Sequence, residues 1–328
     1  MNRILLVGGG GYIGNTVAYN FLKKKHNVSI LDNFIYNHKE TLNNLLKFKN
    51  LNVIDKDIRN RSALENYLKN FDIVVVLAGL VGDPITKKYP QLSSEINDVA
   101  LKNIIDISFK NKIKKLIFIS TCSNYGLIKN DKLANEEHDL KPLSLYARSK
   151  VNLENYIMSF KNKNTTTITT VLRFATAFGL SNRMRFDLTV NHFVKDAEKE
   201  KKLIIYDPET WRPYCHVQDF SNIIENVIFA KDQKVNFQIF NSGSNKNNFT
   251  KKMISDEIIN LINDVDLKFV TGDQDKRNYK VDFGKIKETL NFEASYTIKD
   301  GIGEIRDFLK KKNPDLDISN YGNYQIEI

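Results

Sequence analysis

The chain has 328 residues, of which 41% are hydrophobic, and a formal net charge of +10 from 49 Lys and Arg against 39 Asp and Glu. That length suits about two domains with a sizeable core, and no run of about 20 consecutive apolar residues is present, which argues against a membrane span. The two cysteines, Cys122 and Cys215, lie far apart with no ligand partner at short spacing; this excludes a disulfide framework, gives no zinc site, and fits a reducing cytoplasm.

The chain opens on an apolar run at 4–7 that is too short for a secretion signal and is followed at once by glycines, so it reads as a first β-strand. It leads into Gly8-Gly9-Gly10-Gly11-Tyr12-Ile13-Gly14, a G-x-x-G-x-x-G spacing, and then a helical pattern over 12–24. A tight turn, close approach of backbone to a pyrophosphate and packing of helix on strand each demand a residue without Cβ. The helix N-terminus offers free N–H groups to phosphate. The second strand, 28–31, closes on Asp32. A carboxylate there accepts from ribose hydroxyls and repels a 2′-phosphate, so NAD is expected rather than NADP. Lys23-Lys24-Lys25 reads as a solvated helix end. The positive excess suits anionic partners, and phosphorylated small molecules satisfy it as well as nucleic acid does.

Apolar runs at 51–54, 73–77, 116–119 and 168–172 alternate with helical patterns near 39–48, 62–69, 94–110 and 144–160. Short continuous apolar strands between helices predict a parallel sheet covered on both faces, a doubly wound Rossmann α/β fold. The fifth strand runs into Ser120-Thr121-Cys122-Ser123-Asn124-Tyr125-Gly126, at the strand end where such sheets bind ligands. Tyr146 and Lys150 form a Y-x-x-x-K pair on one helix face. A tyrosine acting as base near neutral pH needs a shift of about 3 units, or about 4 kcal/mol. One cation about 5 Å away at an effective dielectric of about 20 supplies roughly 3 kcal/mol, so Lys150 with an oxidised nicotinamide would suffice.

After about residue 173 the rhythm changes. Strands are expected at 203–206, 237–241 and 267–270, and helices near 189–200, 217–230, 251–262 and 300–311. The division read from this is a dinucleotide-binding domain, 1–172, that also receives about 217–243. A smaller mixed α/β substrate domain takes 173–216 and 244–328.

These residues resemble the extended short-chain dehydrogenase/reductase family, specifically its NAD-dependent nucleotide-sugar epimerases and dehydratases, over nearly the whole chain. By that resemblance Asp57-Ile58 contacts adenine, Ala78-Gly79 lines the nicotinamide ribose and Asn97 is structural. Thr121, Tyr146 and Lys150 fall on the family's catalytic positions. The resemblance puts the cofactor on Gly8, Gly11, Tyr12, Ile13, Gly14, Asp32, Asn33, Asp57, Ile58, Ala78, Gly79, Tyr146 and Lys150. It puts the substrate on Val81, Gly82, Thr121, Ser123, Thr176, Arg185, Asn191, Arg212 and Arg277. Arg212, in Trp211-Arg212-Pro213-Tyr214-Cys215-His216-Val217-Gln218-Asp219, and Arg277 would hold the substrate pyrophosphate; a planar guanidinium suits phosphate.

Two departures matter. Sugar-nucleotide dehydratases place Asp-Glu after the catalytic Thr, and Cys122-Ser123 stands there instead, which speaks against elimination of water. Thr176 stands where many epimerases carry Asn. Gly82-Asp83-Pro84 and Asn182-Arg183-Met184-Arg185-Phe186-Asp187 are distinctive and are expected to line the sugar pocket. The resemblance implies oxidation of the C4 hydroxyl of a nucleotide-diphosphate sugar, with GDP-heptose of a bacterial capsule pathway as one named substrate. A 4-epimerase that retains NAD is the alternative. A homodimer through the helices near 94–110 and 144–160 is expected, with no membrane partner and no nucleic acid beyond the nucleotide. A non-catalytic dinucleotide sensor or RNA-binding chain is the competing class, against which the complete Thr121, Tyr146 and Lys150 set argues.

Overall fold

The computed structural model describes residues 2–128, 132–272, 277–311 and 321–326; the substrate-domain segment 312–320 expected from the sequence lies outside them. Seven strands form the central sheet: β1 (Arg3–Val7), β2 (Asn27–Asp32), β3 (Leu51–Asp55), β4 (Ile73–Val76), β5 (Lys115–Thr121), β6 (Ile168–Phe174) and β7 (Gln238–Ser242). Their order is β7-β6-β5-β4-β1-β2-β3, and every pairing is parallel. The fold class expected from the sequence is the one present.

The cause lies in the period-2 alternation of a strand buried on both sides. In β1, Ile4 and Leu6 face one apolar cluster while Leu5 and Val7 face the other. In β4, Ile73 and Val75 divide from Val74 and Val76 in the same way, and all four are buried. Helix α1 (Tyr12–Lys23) closes the first face through Val17, Ala18 and Phe21. Helices α2 (Arg61–Leu68), α3 (Leu101–Lys110) and α4 (Leu145–Met158) close the second through Leu64, Ile104, Leu153 and Ile157. Each such Val, Leu, Ile or Phe side chain contributes roughly 1.5–3 kcal/mol by leaving water. Lys23, Lys24 and Lys25 are exposed at the C-terminal end of α1, where cations favour the helix dipole.

After β6 the chain leaves the sheet. Helix α5 (Thr189–Lys199) packs against a later helix, Ile298–Lys311. A three-stranded sheet joins Thr176–Phe178, Trp211–His216 and Asn248–Thr250, and Lys202–Tyr206 pairs with Asp266–Val270. Helix α6 (Val217–Phe229) then returns to pack on α1, and β7 pairs with β6. No helix among the described residues is long and apolar enough to cross a membrane.

Two expectations are corrected. The helix near 39–48 is one 3₁₀ turn, Lys39–Leu42, followed by turns. Leu42 and Leu45 are both core residues at a spacing of three, which a 3₁₀ path presents to one face, and Asn43-Asn44 disfavour α-helix. The start of the helix near 94–110 is a π-helical segment, Glu95–Ala100. Buried Asn97 sits inside it, accepting from Leu80 N (2.8 Å) and donating to Leu80 O (3.0 Å), so the widened turn tethers the loop after β4.

Candidate active site

Between β1 and β4 the strand order reverses, and the carboxyl ends of the two strands diverge. This is where an open α/β sheet binds its ligand. A cavity of about 560 Å³ lies there. Its floor is the turn between β1 and α1. Gly8 has φ +81°, and a Cβ on it would stand 2.6 Å from the backbone of Ala78. A Cβ on Gly14 would stand 2.6 Å from Gly8 O. At Gly11, by contrast, a Cβ would meet only Gly8 O, at 3.4 Å, so the turn is open on that side. Two glycines are demanded by packing, and the third leaves backbone room beside the α1 N-terminus. That cradle fits a dinucleotide pyrophosphate. Gly8→Ala is expected to weaken NAD binding at least about tenfold and cost about 1–3 kcal/mol of stability. Calorimetric titration with NAD checks this, and unchanged affinity would contradict the fit.

Asp32 ends β2 with one carboxylate oxygen accepting from Gly10 N and the other from Phe34 N, both at 2.9 Å. Burial pushes its carboxyl upward and the two amides oppose that. The amides fix its orientation, and each oxygen keeps a lone pair for a ribose hydroxyl. Asp57 sits across from Asn33, which donates to it at 3.2 Å. Burial disfavours the Asp57 carboxylate, but a fork from Arg59 outweighs it and holds the group below its ordinary value.

Thr121, the last residue of β5, caps the 3₁₀ turn Cys122–Tyr125 by accepting from Ser123 N at 3.1 Å. Ser144 caps α4 by accepting from Ala147 N at 3.2 Å. Together these caps set the two elements that carry Thr121, Tyr146 and Lys150 to the same cavity. Lys150 is buried, donates to Ile119 O at 2.8 Å, and has Nζ 5.8 Å from the centre of the Tyr146 ring. Burial lowers its pKa to about 7 against a partial offset from Glu154. Burial also raises the Tyr146 phenol, which Arg185 offsets only in part. Lys150 alone therefore does not ionise Tyr146, and the expected ionisation also needs the oxidised nicotinamide beside it. Desolvation of the phenolate exceeds what neighbouring cations return.

The depressed Lys150 couples folding to pH. An unfolded lysine keeps its proton to 10.5 and the folded one to about 7. Between these values the unfolded chain binds more protons, so stability from this group rises with pH. Lys150→Met removes the cost of the buried charge. Its advantage in melting temperature over wild type, both without ligand, should shrink between about pH 6 and about pH 10. A difference constant across that range would contradict it.

The family model for NAD-dependent epimerases and dehydratases matches residues 4–243, most of the chain and all of the elements just described. The chain belongs to the NAD-dependent epimerase/dehydratase family. Within that family it is 27% identical over 319 residues to a UDP-N-acetyl-alpha-D-glucosaminuronate decarboxylase of Bacillus cytotoxicus, covering 92% of this chain and 96% of that one. It is 27% identical over 324 residues to a UDP-glucuronate 4-epimerase of Thermodesulfobacterium geofontis, covering 92% and 94%. Its fold is similar to a crystal structure of UDP-glucuronic acid 4-epimerase from Bacillus cereus in complex with UDP-glucuronic acid and NAD, with a TM-score of 0.83 at 22% identity over 94% of this chain and 99% of that one. NAD is the cofactor of the epimerase/dehydratase family, and the Asp32 carboxylate fits that choice.

Of the residues singled out from this family member's sequence, the cavity wall holds Gly8, Gly11, Tyr12, Ile13, Gly14, Asp32, Asn33, Asp57, Ile58, Ala78, Gly79, Val81, Gly82, Thr121, Ser123, Tyr146, Lys150, Thr176, Arg185, Arg212 and Arg277. Asn191 is the exception and is corrected. It is fully buried outside the wall, accepting from Gly179 N (3.1 Å) and donating to Tyr12 OH (3.2 Å) and Arg185 O (3.0 Å). Its amide ties α5 to Gly179, to the start of α1 and to the loop at Arg185, and it is not among the cavity-lining residues. His216 and Asp219 are also structural. His216 Nδ1 accepts from Gln218 N at 3.2 Å and its Nε2 meets Glu304 at 2.6 Å, while Asp219 accepts from Ser295 N at 3.0 Å.

The wall further holds Tyr36, His38, Asn323 and Tyr324, which sequence reasoning left out, and Asp83 and Arg183 from the two segments expected to line the sugar pocket. Tyr36 OH and both ring nitrogens of His38 have no partner among the described residues. Burial, then Arg183, takes the His38 pKa down to about 3, so the ring is neutral. Asn323 and Tyr324 had no local signal.

Proposed function

We propose that this chain oxidises the C4 hydroxyl of a nucleotide-diphosphate sugar to the 4-keto sugar, in the cytoplasm, within bacterial surface-polysaccharide biosynthesis. The observation that supports it most is the convergence of Thr121, Tyr146 and Lys150, from β5 and α4, on one cavity that also contains the glycine turn. Bound NAD supplies the hydride acceptor and, when oxidised, a positive charge. Thr121 orients the sugar hydroxyl. Tyr146 takes its proton, and general-base action of this kind is worth about 10²–10⁴ in rate. Lys150 holds the nicotinamide ribose and adds cationic character beside the phenol. Arg212 and Arg277 hold the sugar-nucleotide diphosphate. In this reading residues 1–172 with about 217–243 carry the cofactor, and 173–216 with 244–328 carry the sugar nucleotide. Two subunits pair through α3 and α4.

No carboxylate follows Thr121; Cys122 is buried with its thiol on Arg173 O, and Ser123 accepts from Tyr279 OH at 3.3 Å. The site thus lacks an acid–base pair beside the catalytic hydroxyl for eliminating water. A 4-keto sugar that is released makes the chain a 4-dehydrogenase; one reduced from its other face makes it a 4-epimerase, an activity named in the Thermodesulfobacterium relative.

The test is to mix purified enzyme and NAD with UDP-, dTDP- and GDP-hexoses and GDP-heptose. Absorbance at the reduced-nicotinamide band is followed and the sugar carbon changed is identified by NMR. A keto or inverted C4 is expected. Turnover at another carbon, or of none of these sugars, would overturn the reading.

A further inference from the structure

Asp83 opens the short helix Asp83–Lys88 directly after the loop that follows β4. One of its oxygens faces Arg277 at 3.5 Å, and the other, Oδ1, is shielded from bulk water and meets no donor among the described residues. The second such atom is on the same wall. Asn323 donates its amide N–H to Val81 O at 3.5 Å, and its Oδ1 is likewise shielded and unpartnered. Asn323 is held there by a strap made of the last described residues. Phe186 N donates to Tyr321 O at 2.7 Å, Arg183 donates to Gly322 O at 3.1 Å, and Ile326 is buried in the apolar cluster on the sheet's second face.

A shielded acceptor without a donor is a standing cost, removed when a ligand brings an O–H or N–H. Two such acceptors, from segments far apart in sequence, share the wall that carries Tyr146. Resting on the nucleotide-sugar reading above, we propose that Asp83 and Asn323 receive hydroxyl groups of the sugar and make the pocket select neutral sugars over uronates. A uronate brings a carboxylate, which has no proton to donate and a negative charge to set beside Asp83. Two of the cations on the wall already face carboxylates: Arg185 forks onto Asp187, and Arg277 faces Asp83. The two relatives named above are both uronate enzymes by name, so the expected substrate class departs from theirs.

The test compares matched pairs on one nucleotide, UDP-glucose with UDP-glucuronate and GDP-mannose with GDP-mannuronate. It uses kcat/KM and, independently, calorimetric binding to the NAD-loaded enzyme. The neutral member should be preferred by roughly a hundredfold, because like charges brought together disfavour the wrong ligand. Asp83→Asn should narrow that preference by about tenfold, and Asn323→Ala should weaken the neutral ligand. Uronates used as well as neutral sugars, or a preference untouched by Asp83→Asn, would overturn the assignment while leaving the nucleotide-sugar reading standing. Failure of every sugar and of free UDP and GDP to bind would strike that reading itself, and this inference with it.

Discussion

Tyr146→Phe is expected to lower kcat by roughly a thousandfold while leaving the affinities for NAD and nucleotide sugar within about threefold of wild type. The substitution removes one hydroxyl from a half-buried ring at the cavity wall, so the fold has little to lose. What disappears is the group assigned to take the sugar proton. Burial holds the phenol protonated in the protein alone. Ionisation therefore has to be coupled to arrival of the oxidised cofactor. The pH profile of kcat in the loaded enzyme should accordingly carry a titration that the variant lacks. Retention of more than about a tenth of the rate in Tyr146→Phe would remove the residue from the role of base.

Arg173→Met is expected to destabilise the protein by about 3–5 kcal/mol, the usual result of stripping one partner from a buried ion pair. Arg173 in β6 reaches Glu154 in α4 through Nε at 3.0 Å and a terminal nitrogen at 2.7 Å. The two side chains are 4% and 1% exposed. Asn124 donates to Glu154 at 2.8 Å, Ser120 donates to it as well, and Arg173 also donates to Tyr125 OH at 3.0 Å. Removing the guanidinium leaves a carboxylate in the interior with only neutral donors. A fall in Tm of roughly 5–15 °C should follow, with the same loss from urea unfolding. The double variant Glu154→Leu, Arg173→Met should recover a large part, since both charges are then gone. Glu154 lies one helical turn beyond Lys150, so the network fixes the helix face that carries both Tyr146 and Lys150. A loss below about 1 kcal/mol would show that the pair is hydrated.

The sheet was legible because its strands are continuous apolar runs bounded by turns, and each alternates its residues between two cores, as in Ile4 to Val7. The cofactor cradle was legible for a related reason: Gly8, Gly11, Gly14 and Asp32 act within one strand–helix–strand unit, so their spacing survives in the sequence. Tyr146 and Lys150 are likewise a single helix turn apart. Other features depend on how distant segments meet. Asp83 and Asn323 share a wall only because the strap at 321–326 is fastened at Phe186 and Arg183. Asn191 was misplaced because an inward polar side chain on α5 looks the same in sequence whether it faces a ligand or binds Gly179 and Tyr12. The 3₁₀ turn at Lys39–Leu42 was read as a helix because Leu42 and Leu45 satisfy either period over so short a stretch.

The central claim is that C4 of a nucleotide sugar gives up its hydride inside this cavity while Tyr146 accepts the hydroxyl proton. The most direct measurement uses a nucleotide sugar deuterated at C4, incubated with enzyme and NAD, with mass spectrometry of the nicotinamide recovered from the protein. Deuterium on the recovered reduced cofactor, present in wild type and missing from Tyr146→Phe, is the predicted result. Turnover without deuterium reaching the cofactor in a rapidly quenched sample, or label transfer undiminished in the variant, would contradict it.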